Sequence, residues 1–391
     1  MSLYQKRGVS AQKEEVHAAI QDLDQGLYAN AFCKIYPDYL TGDADHVNIM
    51  HADGAGTKSI LAYLYWKETG DISVWRGIAQ DAVVMNLDDL LCIGVYDNII
   101  FNSTIDRNKH LITGEVLKEI IDGTSALFAS LKDMGVNIHY LGGETADVGD
   151  VVRTVAVNGT MTARWPKNKL VTNDKIAVGD VIVGLSSAGK AIYETEYNSG
   201  IGSNGLTSAR HDMFAKVYAE QHPESFDPNL PNEVVYIGKH TMTDPVEVPG
   251  FTVNAGKMVL SPTRTFAPII REILEADFDA VHGMIHCSGG GQTKCLKYLP
   301  APMRVVKDAL FDIPPVFDLI QKASGSDNRE MLQVFNMGCR MEIYTNEKDA
   351  QKMIDISRKF GVDAKIIGRV EEATEKCLDV YLNDEKFTFI P

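Results

Sequence analysis

The sequence predicts a two-domain α/β (α+β) chain in which each half mixes strands with helices. Its 391 residues exceed the roughly 250–300 at which a single hydrophobic core stops growing. In both halves, short strand-like runs end at turns rich in glycine, and runs with helical spacing follow. The polar, proline-bearing stretch Trp165-Pro166-Lys167-Asn168-Lys169 breaks this pattern. The expected domains are therefore residues 1–168 and 169–391.

The elements follow in order. His46 to His51 alternate like a strand and end at the Asp53-Gly54 turn, and Ser59 to Glu68 read as a helix. Asp81 to Leu91 read as a second helix and Ile99 to Ile105 as a strand. Gly114 to Met134 carry apolar residues at helical spacing, with Gly135 as the C-terminal stop. Asn137 to Leu141 form a short strand that runs into Gly142-Gly143, and Arg153 to Arg164 form a longer one. The second half opens on the buried strand Asp180 to Leu185. Gln221 to Pro249, rich in Pro, Glu and Asp, read as a loop-dominated insertion. Ser261-Pro262 fit the cap and first position of a helix. Ala280 to His286 read as a strand, Lys348 to Phe360 as a helix and Ala364 to Val370 as a strand.

Composition excludes several classes. Hydrophobic residues make up 45% and charged residues 23%, as in ordinary globular chains. A net charge of -15 argues against a nucleic-acid surface, and a phosphorylated ligand must then be neutralised locally. No apolar run is long enough for a membrane span. The start of the chain lacks the apolar centre of a signal peptide. Six scattered cysteines without paired spacing suggest reduced core residues rather than zinc. Together these predict a cytoplasmic protein.

Four segments carry the chemistry. Asp53-Gly54-Ala55-Gly56-Thr57-Lys58 sets two glycines, a hydroxyl and an ammonium beside a carboxylate. That combination suits a nucleotide phosphate with Mg²⁺. Asp81, Asp88 and Asp89 share a helix face, where carboxylates repel unless a cation joins them. Gly142-Gly143-Glu144-Thr145 follow a strand, where glycines admit a ligand to the backbone and Glu144 offers a metal or ribose contact. His286-Cys287-Ser288-Gly289-Gly290-Gly291 end in three glycines that suit an anion nest. Taken singly, each segment also reads as a plain turn or a polar stripe. Gly184 to Ala191 nearly match a phosphate loop but end in Ala191, which has no hydroxyl for Mg²⁺.

On these residues the chain resembles the aminoimidazole ribonucleotide synthetase (phosphoribosylformylglycinamidine cyclo-ligase) family. That family's DGxGTK run is matched by Asp53 to Lys58, its acidic helix by Asp81 and Asp88-Asp89, and its GGET run by Gly142 to Thr145. Its remaining runs are matched by Ser186 to Gly189, Ser203-Asn204-Gly205, Pro262-Thr263-Arg264, His286 to Gly291 and Phe335 to Gly338. Tyr4, Gly8-Val9 and Ile367-Gly368 also fit.

The resemblance implies mixed sheets packed with helices in each of two domains. It implies a homodimer that uses ATP and Mg²⁺ to close the ring of formylglycinamidine ribonucleotide, giving aminoimidazole ribonucleotide, ADP and phosphate. The expected nucleotide contacts are Asp53, Gly54, Gly56, Thr57, Lys58, Gly142, Gly143, Glu144 and Thr145. The expected metal ligands are Asp53, Asp81, Asp89 and Glu144. Lys58, Asp81 and His286 are the expected catalytic residues. Ser187, Lys190, Ser203, Asn204, Gly205, Arg264, Gly289, Gly290 and Gly291 are the expected substrate contacts. Three positions depart from the family pattern: Gly202 stands where the family has histidine, Ser103 where it has aspartate, and Gln292 follows the triple glycine. Lys190 is the candidate to replace that histidine. A related ATP-using enzyme with another small substrate, or a nucleotide-binding paralogue without catalysis, remains as an alternative.

Overall fold

The computed structural model describes residues 6–9, 19, 22–248 and 250–391. Tyr4 and Pro249 lie outside them.

The first sheet joins β1 (Ile35–Pro37), β2 (His46–Gly54), β3 (Ile99–Arg107), β4 (Ile138–Asp147) and β5 (Val155–Pro166) in the order β1-β2-β5-β3-β4. Only β3 and β4 run parallel. The first-domain helices are α1 (Lys58–Thr69), α2 (Val74–Leu91) and α3 (Gly114–Asp133). Period-two alternation turns Val47, Ile49, Phe101, Val157 and Met161 toward these helices, where they are buried. The opposite face is open. Met50, Thr162 and Ile100 share one row across it, with Met50 70% and Ile100 42% exposed.

α2 begins at Val74, earlier than the sequence pattern suggests. Ala79, Ala82, Val83, Val84, Met85, Leu87, Leu90 and Leu91 make it apolar on nearly every side. Such a helix belongs inside a protein. It lies between the first sheet and the second domain, so its acids are buried as well.

The strand expected to stop at Leu141 continues as β4 to Asp147. Between the Phe101–Tyr140 and Ser103–Gly143 pairs, β4 carries one more residue than β3. Gly142, at φ +88°, takes up that bulge. A Cβ on Gly143 would lie 2.1 Å from the Ser103 carbonyl oxygen, so only glycine fits there. The two glycines thus serve the strand itself and not a turn beyond it.

The second sheet uses β6 (Val181–Ser186). β7 (Ala188–Gly189) pairs with β8 (Asn198–Ser199), and β9 (Pro245–Val248) pairs with β10 (Phe251–Asn254), outside that sheet. β11 (Gly283–His286), β12 (Arg304–Lys307), β13 (Cys339–Thr345), β14 (Ala364–Glu371), β15 (Cys377–Leu382) and β16 (Glu385–Phe389) complete it, in the order β11-β13-β6-β14-β12-β15-β16. The helices are α4 (Leu206–Met213), α5 (Val217–Gln221), α6 (Ala255–Leu260), α7 (Ala267–Ala276), α8 (Pro315–Ser324), α9 (Asn328–Val334) and α10 (Glu347–Lys359). α10 packs on β6 and β14, and α7 touches both α10 and α2. From 221 to 248 the chain is mostly loop, as its composition predicts.

Two boundaries differ from expectation. The strand expected from Ala280 begins at Gly283, after a 3-10 turn at Phe278–Ala280. The helix expected at Ser261-Pro262 begins instead at Ala267. Residues 261–266 stay irregular because their N–H groups have other acceptors: Thr263 and Phe266 donate to carboxylates of α2.

Candidate functional site

The three carboxylates of α2 each meet a different part of the second domain. Asp81 is wholly buried, and its Oδ1 accepts from Lys58 Nζ at 2.9 Å, Thr263 N–H at 2.8 Å and the Thr263 hydroxyl at 2.5 Å. Its Oδ2 has no hydrogen-bond partner. Lys58 opens α1, is equally buried, and also donates to the Ser261 carbonyl. Burial lowers the Lys58 pKa, and the Asp81 charge only partly opposes it. Asp88 accepts from the Thr265 hydroxyl at 2.6 Å and from Phe266 N–H. Burial pushes its carboxyl up to about 6 against the pull of His286 and Arg340.

Asp89 joins two histidines. Its Oδ1 lies 2.7 Å from His286 Nδ1 and its Oδ2 3.2 Å from His51 Nε2. Burial would raise its pKa, but the hydrogen bonds from His286 and His51 win and hold it well below the usual carboxylate range. An ionised carboxylate only accepts, so the proton on His286 sits at Nδ1. His286 Nε2 is buried and has no partner. His51 is a donor at both nitrogens. Asn86 Nδ2 donates to the carbonyls of Asp53, Ala82 and Gly159, which leaves its Oδ1 to accept from His51 Nδ1 at 3.0 Å. The His51 pKa is raised: burial lowers it, but Asp89 and Asn86 more than offset that.

His286 lines a narrow cleft with Gly202, Asn204, Ser288, Asn336 and Arg340, among others. Arg340 is 1% exposed, and none of its three guanidinium nitrogens has a hydrogen-bond partner among the described residues. The triple-glycine loop forms one wall. Gly290 and Gly291 both have positive φ, and a Cβ on Gly289 would touch the Asn204 amide. Gly205, at φ +79°, starts α4. Ser203 Oγ is buried without a partner.

The Asp53-to-Lys58 segment does not line this cleft. Asp53 and Gly54 end β2, Gly56 has positive φ, and Thr57 meets the Thr207 hydroxyl at 2.6 Å across the domains. Glu144 and Thr145 lie exposed on β4. Pairing aligns Gly54, Asn158, Thr104 and Glu144 in one row. At about 4.8 Å per strand, the backbones of Gly54 and Glu144 are then about 14 Å apart. Asp53 and Glu144 offer oxygen ligands that fit Mg²⁺, but not one ion between them within a single chain. Among the described residues, no three His, Cys, Asp or Glu side chains are grouped to hold a metal. Of the expected ligands, Asp81 carries an ammonium instead and Asp89 two imidazoles.

Two expected substrate contacts prove to be internal. Arg264 is wholly buried and donates to both Glu194 oxygens and to the carbonyls of Ser186 and Ala188. It pins the 190–201 segment and has no donor directed at a ligand. Ser187 donates to Asn336 Oδ1 at 2.8 Å. Lys190 is exposed and does not line the cleft at Gly202. A wider groove of about 570 Å³ runs between α2, α3 and the second domain, lined by Gln80, Tyr193, Glu194, Tyr197 and Ser261 among others. The sequence reading missed Arg340, His51, Asn86 and Thr265. The available signals were slight: Arg340 lies two residues past the Phe335-to-Gly338 run, and Thr265 follows Pro262-Thr263-Arg264.

The chain is similar to known proteins in sequence and in fold. Residues 35–165 match the N-terminal domain and residues 233–380 the C-terminal domain of the AIR synthase related protein family. A phosphoribosylformylglycinamidine cyclo-ligase of Methanocaldococcus jannaschii is 31% identical over 333 residues, which is 85% of this chain and 80% of that one. The enzyme of the same name from Methanococcus maripaludis is 27% identical over 96% of this chain and 94% of its own. Among solved structures, one of a HypE–HypF complex superposes with a TM-score of 0.54 at 14% identity, covering 98% of this chain and 99% of that one. Thermotoga (T. maritima) PurL complexed with ADP gives 0.53 at 14% identity; it covers 99% of this chain, which spans 52% of that longer one. These structural likenesses concern the fold.

Proposed function

The chain belongs to the AIR synthase related protein family, and from that premise we propose that it is an ATP-dependent cyclo-ligase of purine biosynthesis. It converts formylglycinamidine ribonucleotide to aminoimidazole ribonucleotide, with release of ADP and phosphate. The observation that carries this reading is the match to the cyclo-ligase of M. jannaschii across both domains.

In this reading ATP transfers its γ-phosphoryl group to the amide oxygen of the substrate, and ADP leaves. An amidine nitrogen attacks the same carbon; the new C–N bond forms, the C–O bond breaks, and phosphate departs. The nitrogen must lose a proton. His286 Nε2, free of partners and oriented through Nδ1 by Asp89, is the acceptor we assign. The turn from Asp53 to Thr57 and the exposed Glu144 and Thr145 hold the nucleotide. Mg²⁺, when bound, would supply positive charge to the phosphoryl oxygens; Asp53 and Glu144 each offer it an oxygen ligand, but to separate ions or across two copies of the chain, since one chain holds them too far apart to share an ion. Lys58 and Asp81 act from behind, by fixing the start of α1 next to that turn.

The open face carrying Met50, Thr162 and Ile100 is the dimer surface in this reading. No described helix is long and apolar enough to cross a membrane, which accords with a cytoplasmic enzyme. A coupled ADP-release assay with formylglycinamidine ribonucleotide tests the proposal. Turnover dependent on that ribonucleotide is expected; ADP release indifferent to it defeats the reading.

A further inference from the structure

We infer that Arg340 reads the substrate's phosphate, gripping the oxyanion in the cleft where Gly202 contributes no side chain. The identity of the phosphate's carrier rests on the ribonucleotide reading above; the anion grip does not.

Two equally buried arginines make the case by contrast. Every donor group of Arg264 has a protein acceptor, among Glu194 and the carbonyls of Ser186 and Ala188. Among the described residues, Arg340 has no hydrogen-bond partner at Nε, Nη1 or Nη2. Its nearest carboxylate, on Asp88, is 3.9 Å away, and Phe266 lies beneath it with the ring centre at 5.2 Å. A guanidinium taken out of water without hydrogen bonds is costly, so a site built this way calls for an acceptor. The aromatic stack leaves the edge of the fork free. A guanidinium fork matches phosphate oxygens two at a time.

The surroundings fit. Arg340 lies on β13 beside β11, and its carbonyl accepts from Cys287 N–H at 2.7 Å. His286, which precedes Cys287, lines the same cleft, and its Nε2 has no partner among the described residues. Gln292, one of the departures from the family pattern, donates to the carbonyls of Asn336 and Cys339 at 2.6 and 2.9 Å. It thereby fixes the backbone on the N-terminal side of Arg340. Two departures therefore converge here: Gly202 lines the cleft, and Gln292 holds the segment that supplies the charge. As it stands the free space is about 10 Å³, enough for one water. Phosphate entry therefore requires the loops at 202–204 and 288–290 to part, and neither is held in a regular element. Asp88 is the nearest carboxylate opposing an anion here, with Glu194 and Asp81 also acting on Arg340; burial raises the Asp88 pKa to about 6, which weakens its opposition near that pH.

The test is a titration of the full chain with inorganic phosphate alone, followed by thermal denaturation and calorimetry, for the wild type, R340M and R340K. A saturable rise in wild-type Tm is expected, weakened about 10-fold or more in R340M, as loss of a charge-assisted pair implies. R340K, which keeps the charge but not the fork, should fall between them. R369M, at an exposed arginine paired with Asp308, should bind phosphate as the wild type does. Equal phosphate affinity in wild type and R340K, or in wild type and R340M, overturns the grip whether or not the other variant folds. Steady-state kinetics then address the carrier. KM for the ribonucleotide should rise about 10-fold or more in R340M while KM for ATP stays within about twofold. A rise confined to ATP overturns the assignment to the ribonucleotide. Absence of any turnover in the wild type defeats the cyclo-ligase reading and leaves the phosphate titration to judge Arg340.

Discussion

Lys58 and Asp81 form an ion pair sealed from solvent, with Nζ 2.9 Å from Oδ1 and neither side chain exposed. Removing one partner leaves the other charged and unpaired in the interior. Lys58→Met should therefore destabilise the protein by about 3–5 kcal/mol, and Lys58→Met with Asp81→Asn, which removes the charge but keeps an Oδ1 acceptor for Thr263, should recover much of that loss. Urea unfolding of both variants measures it. If the single variant is as stable as the wild type, the pair is not buried as described. The same single variant should lower kcat by about 100-fold, the scale of a misplaced reacting group, because α1 and the turn before it lose their anchor.

His51 gives the fold a pH dependence of known sign. Its pKa is raised above the ordinary 6.5 because Asp89 and Asn86 outweigh burial. A base with a raised folded pKa contributes stability that is fully present below the unfolded value. That stability is lost as the pH climbs through the folded value. The stability gap between wild type and His51→Gln should accordingly be widest below the ordinary histidine value of about 6.5 and shrink as the pH rises above it. A gap that widens over this range would show that the imidazolium is not favoured.

Gly143→Ala should perturb β4 through the backbone and not through a lost ligand contact. The added Cβ would stand 2.1 Å from the Ser103 carbonyl, so the β3–β4 ladder must move. We expect a lower Tm without nucleotide, by several degrees. Thr145→Ala, on the same strand, should leave Tm nearly unchanged and change ATP affinity alone. An unaltered Tm in Gly143→Ala falsifies the steric account.

Met50 and Ile100 share a row on the open face of the first sheet, through Thr162 between them. If that face joins two copies, Met50→Glu with Ile100→Glu should give monomers by light scattering while the wild type is a dimer. A wild-type monomer at micromolar concentration removes the proposal.

Much of the fold is legible in local sequence, because alternation in β2, β3 and β5 and helical spacing in α1, α3 and α10 are short-range signals. The fate of the acids is not. Asp81 and Asp88 read as a metal face because carboxylates at helical spacing repel. Their partners are Thr263, Thr265 and Phe266, about half the chain away. The same long-range bonds explain why Ser261-Pro262 looks like a helix start and is not one. Gly142 and Gly143 have a composition that a bulged strand and a ligand turn share. Arg340 carries only a slight local signal, its place two residues past the Phe335-to-Gly338 run; its meaning comes from the missing partners around it.

α2 has one further effect. The irregular segment 261–266 has its polar backbone completed by carboxylates from the other domain. The second domain is therefore not a portable module. Grafted onto a relative's first half, it would keep its sheet but lose the acceptors that shape this connector. A working chimera has to carry α2 along with it, and the crossover point belongs before Val74 rather than at the visible gap between the sheets.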